Sequence, residues 1–305
     1  MTLLPAFTPR GACLGLALLL AGQPAAAGLI QAPGAAGSLQ GALDLATAGD
    51  VVLIAAGRYA EGSALIVRGG ITLRGAGSGP EDTVLSGSYL HQILSVGGEG
   101  GPVSVENLTL ADGFAVKGGG MSISGAEVSL DGVHFLRNAA AGDGGAIYAE
   151  GAGLRVTNCL FFANYASSGG GAALHIQGPG PGGSLQRIEA CTFAANAGCC
   201  GGRSLVLADC QVEIFNNVLE DVECLAGGEP VMGCNNGAVC GTDLGGNFIA
   251  DPRYCGFEQA DCRLEPDSPC LAANNPECGQ IGAFGGCALT ATATNSLSAI
   301  KSLYR

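Results

Sequence analysis

The chain has 305 residues, 53 of them glycine, and 13 Lys and Arg against 26 Asp and Glu give a formal net charge of −13. The glycine share is far above average, yet no Gly-X-Y period runs through it, which excludes a collagen triple helix. A surface this acidic argues against nucleic acid as a partner, because such partners need a basic footprint. At 48% hydrophobic and 13% charged residues, the chain is also too apolar for disorder.

In chain order, residues 1–27 read as a secretory signal peptide. Arg10 precedes an apolar run over 12–21, and Ala25, Ala26 and Ala27 supply small residues for cleavage. That run is about ten residues, too short for a hydrocarbon core ~30 Å thick. No later stretch reaches 18 apolar residues, so no transmembrane segment is expected in the mature chain. The expected location is secreted, extracellular or at the cell surface. Of the 14 cysteines, eleven fall within 199–287, a density that reads as disulfides in an exported chain. Zinc is disfavoured, since no C-x-x-C pair occurs and no His lies beyond His175. Thirteen cysteines remain after cleavage, so at least one has no partner within the chain.

Internal repeats decide the fold. The segments 105–113 (VENLTLADG), 130–138 (LDGVHFLRN), 156–164 (VTNCLFFAN), 188–196 (IEACTFAAN) and 210–217 (CQVEIFNN) align. Their closing positions are Gly113, Asn138, Asn164, Asn196 and Asn217, spaced by 25, 26, 32 and 21 residues. A Gly-Gly marker at 119, 144, 170 and 201 drifts with them. Each unit holds three short β-runs, divided by bends that carry Gly or Asn, the residues that reach positive φ most cheaply. Gly113 exchanges with Asn138 and Gly132 with Asn158, which predicts left-handed bends at those places. A single coil cannot bury its apolar face, so coils must stack, about 4.8 Å apart. The alignment predicts an inward file of Phe135, Phe161, Phe193 and Ile214, with Val133, Cys159, Cys191 and Val212 two residues earlier. Cys159 and Cys191 then stack on successive coils, within disulfide range, or remain small buried hydrophobes.

These repeats resemble the right-handed parallel β-helix of the pectin-lyase-like superfamily. The segment 38–46 (SLQGALDLA) resembles its short N-terminal capping helix, 49–59 (GDVVLIAAGRY) its first coil, and 71–77 (ITLRGAG) with 83–87 (TVLSG) its second. GGAI at 144–147 and FFAN at 161–164 also resemble the GGAI and FxxN repeats of chlamydial polymorphic outer-membrane proteins. The similarity covers about residues 38–220 and implies an all-β solenoid of about seven coils. The segments 247–254 (NFIADPRY), 262–270 (CRLEPDSPC) and 281–284 (IGAF) resemble the closing segment of bacterial secreted β-helix proteins. The expected organisation is a signal peptide over 1–27, a β-helix over 28–250, a Cys-rich closing segment over 251–287 and a flexible tail over 288–305. Disulfides offset a small core in such a cap. Proximity suggests Cys255 with Cys262 and Cys270 with Cys278.

Enzymes of this fold cleave polyuronates, but their motifs are missing here. Gly57, Tyr59 and Glu61 match an esterase pattern only within the generic first coil, and Arg187 to Glu189 is the nearest approach to a hydrolase motif. No tryptophan supplies a sugar platform. His91, His134 and His175 sit one per distant coil and read as outward polar filler. No cofactor is expected. Glu220, Asp221 and Glu223, with Glu213 one coil earlier, could hold Ca²⁺ through oxygen ligands, with a solvated loop as the simpler reading. The sequence thus points to a non-enzymatic surface, adhesion or structural envelope module, with polysaccharide or cell-surface glycan as partner. The alternative is a carbohydrate-active lyase or hydrolase, which an exposed groove lined by carboxylates and Arg155 or Arg187 would favour.

Overall fold

The computed structural model describes residues 27–98, 100–168 and 170–287. Apart from Ala27, the expected signal peptide lies outside the described residues, as does the expected tail.

One coil shows how the sequence makes the fold. A strand at Glu127–Asp131 ends at Gly132, whose φ of 60° turns the chain sharply. His134–Leu136 follows, then a second left-handed residue at Arg137 and a two-residue strand at Ala139–Ala140. A glycine corner leads to Ile147–Glu150, and Gly151 returns the chain to the next coil. Each strand pairs in parallel with its equivalent one coil later, Val128 with Leu154 and Phe135 with Phe161. Four parallel sheets result. Sheet I has ten strands, from Leu29–Ala32 to Thr242–Asp243. Sheet II has six, including His134–Leu136; sheet III has four of two residues each; sheet IV has seven, including Ile147–Glu150. The architecture is a right-handed parallel β-helix. Sheet I carries more strands than the seven expected coils, because its last strands, Val231–Gly233 and Thr242–Asp243, lie where the spacing of the bend asparagines shortens to 18 and then 12 residues. The sheet III strands are too short to register as alternation.

The core is a set of stacked files. The Phe135 and Phe161 rings lie 4.9 Å apart and the Phe161 and Phe193 rings 4.6 Å apart, nearly parallel. The expected fourth member, Ile214, belongs elsewhere: it stacks on Ile188 in sheet I, and Val212 on Gln186. Val218 bridges Thr192, so buried Leu219 follows Phe193. The segment 210–217 therefore aligns with the strand before the bend, not the strand after it.

At the N-terminal end, the helix Leu39–Leu45 buries Leu39, Ala42 and Leu43 over the core, and the Ser38 hydroxyl accepts a hydrogen bond from the Gly41 amide at 3.0 Å. At the other end is a cap with disulfides Cys224–Cys240, Cys234–Cys278 and Cys255–Cys287. This cap runs back along the flank of the solenoid. Its antiparallel hairpin, Tyr254–Gly256 with Asp261–Leu264, lays Ala260 and Cys262 on Leu136, Leu160, Phe162 and Ala194 of sheet II. The Ala283 amide donates to the Thr192 hydroxyl at 3.0 Å. Sheet II strands such as Leu160–Phe162 are buried on both faces, so their outward apolar side chains need a cover.

Candidate functional site

The bend residues divide into two ladders. At the second bend the left-handed residues are Asp112, Arg137, Ala163 and Ala195, one position before Gly113, Asn138, Asn164 and Asn196. The expectation of positive φ at Gly113 and the asparagines is therefore corrected by one residue. The asparagines instead stack as amides. Asn164 Oδ1 accepts from the Asn138 amide at 2.9 Å and from Asn138 Nδ2 at 3.1 Å, while Asn164 Nδ2 donates to Asn196 Oδ1 at 2.9 Å. Glu220 ends this row by accepting from the Asn196 amide at 2.9 Å, and Gly113 begins it by donating to Asn138 Oδ1. Asn217 belongs to a different row at the first bend, bonded to Asn235 and level with Cys191. The Gly132–Asn158 exchange does mark left-handed positions, with φ of 60° and 55°.

The cysteine expectations change in partner. Cys255 joins Cys287 rather than Cys262, and Cys278 joins Cys234 rather than Cys270. Cys262 and Cys270 are buried thiols. So are Cys159 and Cys191, whose thiols donate to the carbonyls of Thr157 and Glu189. Each thiol is thus engaged by a carbonyl of its own coil, and no disulfide joins the pair.

Where the cap meets the solenoid, two depressions of about 310 and 630 Å³ share Pro252, Tyr254 and Phe257. The Tyr254 and Phe257 rings are stacked 5.5 Å apart, and Phe162 meets Phe257 edge-on. Phe257 is 42% exposed and Ile249, on the wall of the smaller depression, 82% exposed. A short 3₁₀ turn, Phe257–Gln259, inside the Cys255–Cys287 loop holds this platform outward. Glu220 lines the smaller depression; Asp251, Glu265 and Asp267 line the larger. Burial of its carboxyl raises the pKa of Glu220, opposed by hydrogen bonds from Asn196. Burial also raises the pKa of the Tyr254 phenol. The arrangement offers an aromatic surface ringed by hydrogen-bond acceptors, a composition suited to a polar ligand with an apolar face. The absence of tryptophan hid this platform in the sequence. The aromatic pair three residues apart beside Cys255 was its available signal.

The expected calcium cluster does not converge. Glu213 pairs with Arg187 on sheet I at 2.7 Å, Asp221 accepts from the Ser204 amide, and Glu223 pairs in register with Val206 on sheet IV. Of the esterase-like residues, the Tyr59 hydroxyl donates to the Ala55 carbonyl at 2.9 Å and Glu61 accepts from the Leu39 amide at 3.4 Å. His134 lies beneath Phe284, and burial lowers its pKa to about 4. His175 stacks on Tyr148, whose hydroxyl accepts from Lys117 Nζ and donates to Gln177, both at 2.8 Å. His91 bonds the neighbouring Gln92 carbonyl. Sheet I does carry a groove lined by Glu127 and Arg155.

No family model matches the chain, and no curated protein matches it. Among solved structures it is similar to the crystal structure of Escherichia coli YbhC, at 14% identity and a TM-score of 0.40, over 78% of this chain and 77% of that one. Among the described residues, no helix is long and apolar enough to cross a membrane.

Proposed function

We propose that the protein is a secreted or cell-surface module that contacts glycans through the cleft between solenoid and cap, and does not cleave them. The observation that carries this reading is the exposed Phe257 ring, stacked on the partly buried Tyr254 at the mouth of the cleft. Sugar rings present C–H faces that pack on aromatic rings, and their hydroxyls donate to carboxylates such as Asp251 and Glu265. Three disulfides support an oxidising compartment, since such bonds seldom persist in the cytosol.

A carbohydrate-active enzyme is the second reading. The carboxyl of Glu220, its pKa raised inside the cleft, has the character of a general acid. The sheet I groove, with Glu127 beside Arg155, also favours it. Hydrolysis needs a second carboxylate about 5–9.5 Å away with a defined role, and Glu220 is the one carboxylate lining its depression. A glycan screen, run with and without Ca²⁺ and scored for binding and for new reducing or unsaturated ends, separates the two. Binding without turnover supports a contacting module; turnover of any polysaccharide overturns it.

A further inference from the structure

The charges around the cap cleft are almost all of one sign. Asp251, Glu265 and Asp267 line the larger depression and Glu220 the smaller. Arg253 is the one cation among the residues lining either depression, and an ion pair with Asp267 takes it up. Asp251 and Glu265 have no ion-pair partner among the described residues.

The backbone holds these two carboxylates in place without a ligand. The Glu265 amide donates to the Arg253 carbonyl at 2.8 Å, and the Ser268 hydroxyl to the Pro252 carbonyl at 2.6 Å. The segments that carry Asp251 and Glu265 are thereby tied together. Asp251 Oδ1 accepts from the Arg253 amide at 2.9 Å, which orients that carboxylate. On the wall of the same depression stands Phe257, 42% exposed and backed by the Tyr254 ring. The face of an aromatic ring is negative and attracts an ammonium group within about 6 Å. An open ring and unpaired carboxylates in one cavity therefore select the same kind of group. A net charge of −13 adds to this, because it draws cations toward the cleft and repels polyanions.

We propose, on the reading that this cleft holds glycans, that its ligand is cationic: an oligosaccharide of amino sugars with free ammonium groups. The C–H face of a sugar ring packs on Phe257, and its ammonium donates to Asp251 and Glu265 in charge-assisted hydrogen bonds. The larger depression, about 630 Å³, has the size of a small-ligand site. An N-acetylated sugar offers the same ring without the charge, so the cleft discriminates by the state of one nitrogen.

The test is calorimetric titration of the protein at low salt with a glucosamine hexamer, an N-acetylglucosamine hexamer and hexalysine. The glucosamine hexamer should bind about tenfold or more tighter than its N-acetylated counterpart. The gap should narrow at about 0.5 M salt, where screening is strong. Asp251→Asn keeps the acceptor for the Arg253 amide. This variant and Glu265→Gln should each weaken glucosamine binding about threefold or more, leaving the N-acetylated hexamer and the melting point nearly unchanged. Phe257→Ala should weaken both hexamers. Equal affinity for the two hexamers overturns the cationic ligand and leaves the glycan-contacting cleft standing. Failure of both to bind also overturns it; binding of a neutral glucan would then preserve the glycan-contacting reading, and silence toward every glycan would remove that too. Hexalysine binding as tightly as the glucosamine hexamer overturns the sugar as ligand in favour of polycations at large.

Discussion

His134 reports on whether the cap really covers sheet II. The residue faces outward from the solenoid, where a histidine would ordinarily titrate near 6.5, but Phe284 packs edge-on against it with ring centroids 5.8 Å apart. That burial lowers its pKa to about 4. The folded-state pKa is depressed, so the neutral form is the one the fold favours. Above pH 6.5 neither state is charged and His134 adds no pH dependence. Between pH 6.5 and 4 the unfolded chain gains a proton that the folded chain refuses, so stability falls with pH. Below about 4 the loss is complete. A shift of roughly 2.5 units at about 1.4 kcal/mol each sets the loss at about 3 kcal/mol, an upper bound because the residue keeps some surface. Urea unfolding of the wild type and of His134→Gln at pH 7 and pH 4 isolates this contribution, since carboxylate titration is common to both. The wild type should lose up to about 3 kcal/mol more than the variant. Parallel pH profiles would refute the covered position of His134, and with it the flank-lying cap.

Further outcomes follow from the ladders and the cysteines. Asn164→Ala removes the side-chain partners of the Asn138 amide and the Phe135 carbonyl and one of the two hydrogen bonds to Asn196 Oδ1, and should cost about 2 kcal/mol or more; a loss below about 1 kcal/mol in chemical denaturation would break the amide row. Replacing both Cys255 and Cys287 by serine opens a loop with a sequence separation of 32 and should cost about 3–4 kcal/mol on loop entropy, with protease cuts appearing first within 251–287. Alkylation in denaturant without reductant should label Cys159 and Cys191, whereas a Cys159–Cys191 cross-linked peptide in the mass spectrum would contradict their assignment as thiols.

The solenoid was legible because its determinants repeat. Asn158 and Gly132 share a left-handed bend, and Phe135, Phe161 and Phe193 share a core file, so each copy corroborates the next. Single events were not legible. The second bend was displaced by one residue because Arg137 and Ala163 occupy left-handed positions that composition assigns to their asparagine neighbours. Those asparagines are there for the buried amide row, a reason that spacing alone does not distinguish from a turn. The alignment of 210–217 slips by one strand because asparagines recur at both bends. The disulfides escaped prediction because sequence proximity says little where the chain folds back: Cys234 and Cys278 are 44 residues apart. The flank position of the cap had one sequence signal, the unbroken apolar run Leu160, Phe161 and Phe162, which alternation would have forbidden on a solvated sheet. The aromatic platform had less still, since Tyr254 and Phe257 become neighbours in space only when the 3₁₀ turn forms.

The most direct test of the central claim is a glycan screen of the wild type beside Phe257→Ala, read for both binding and cleavage. Loss of the exposed ring should weaken binding about tenfold, with the melting point nearly unchanged and no product released by either protein. Equal binding by the variant, or release of unsaturated or reducing ends by the wild type, would contradict a cleft that holds glycans on an aromatic platform without cutting them.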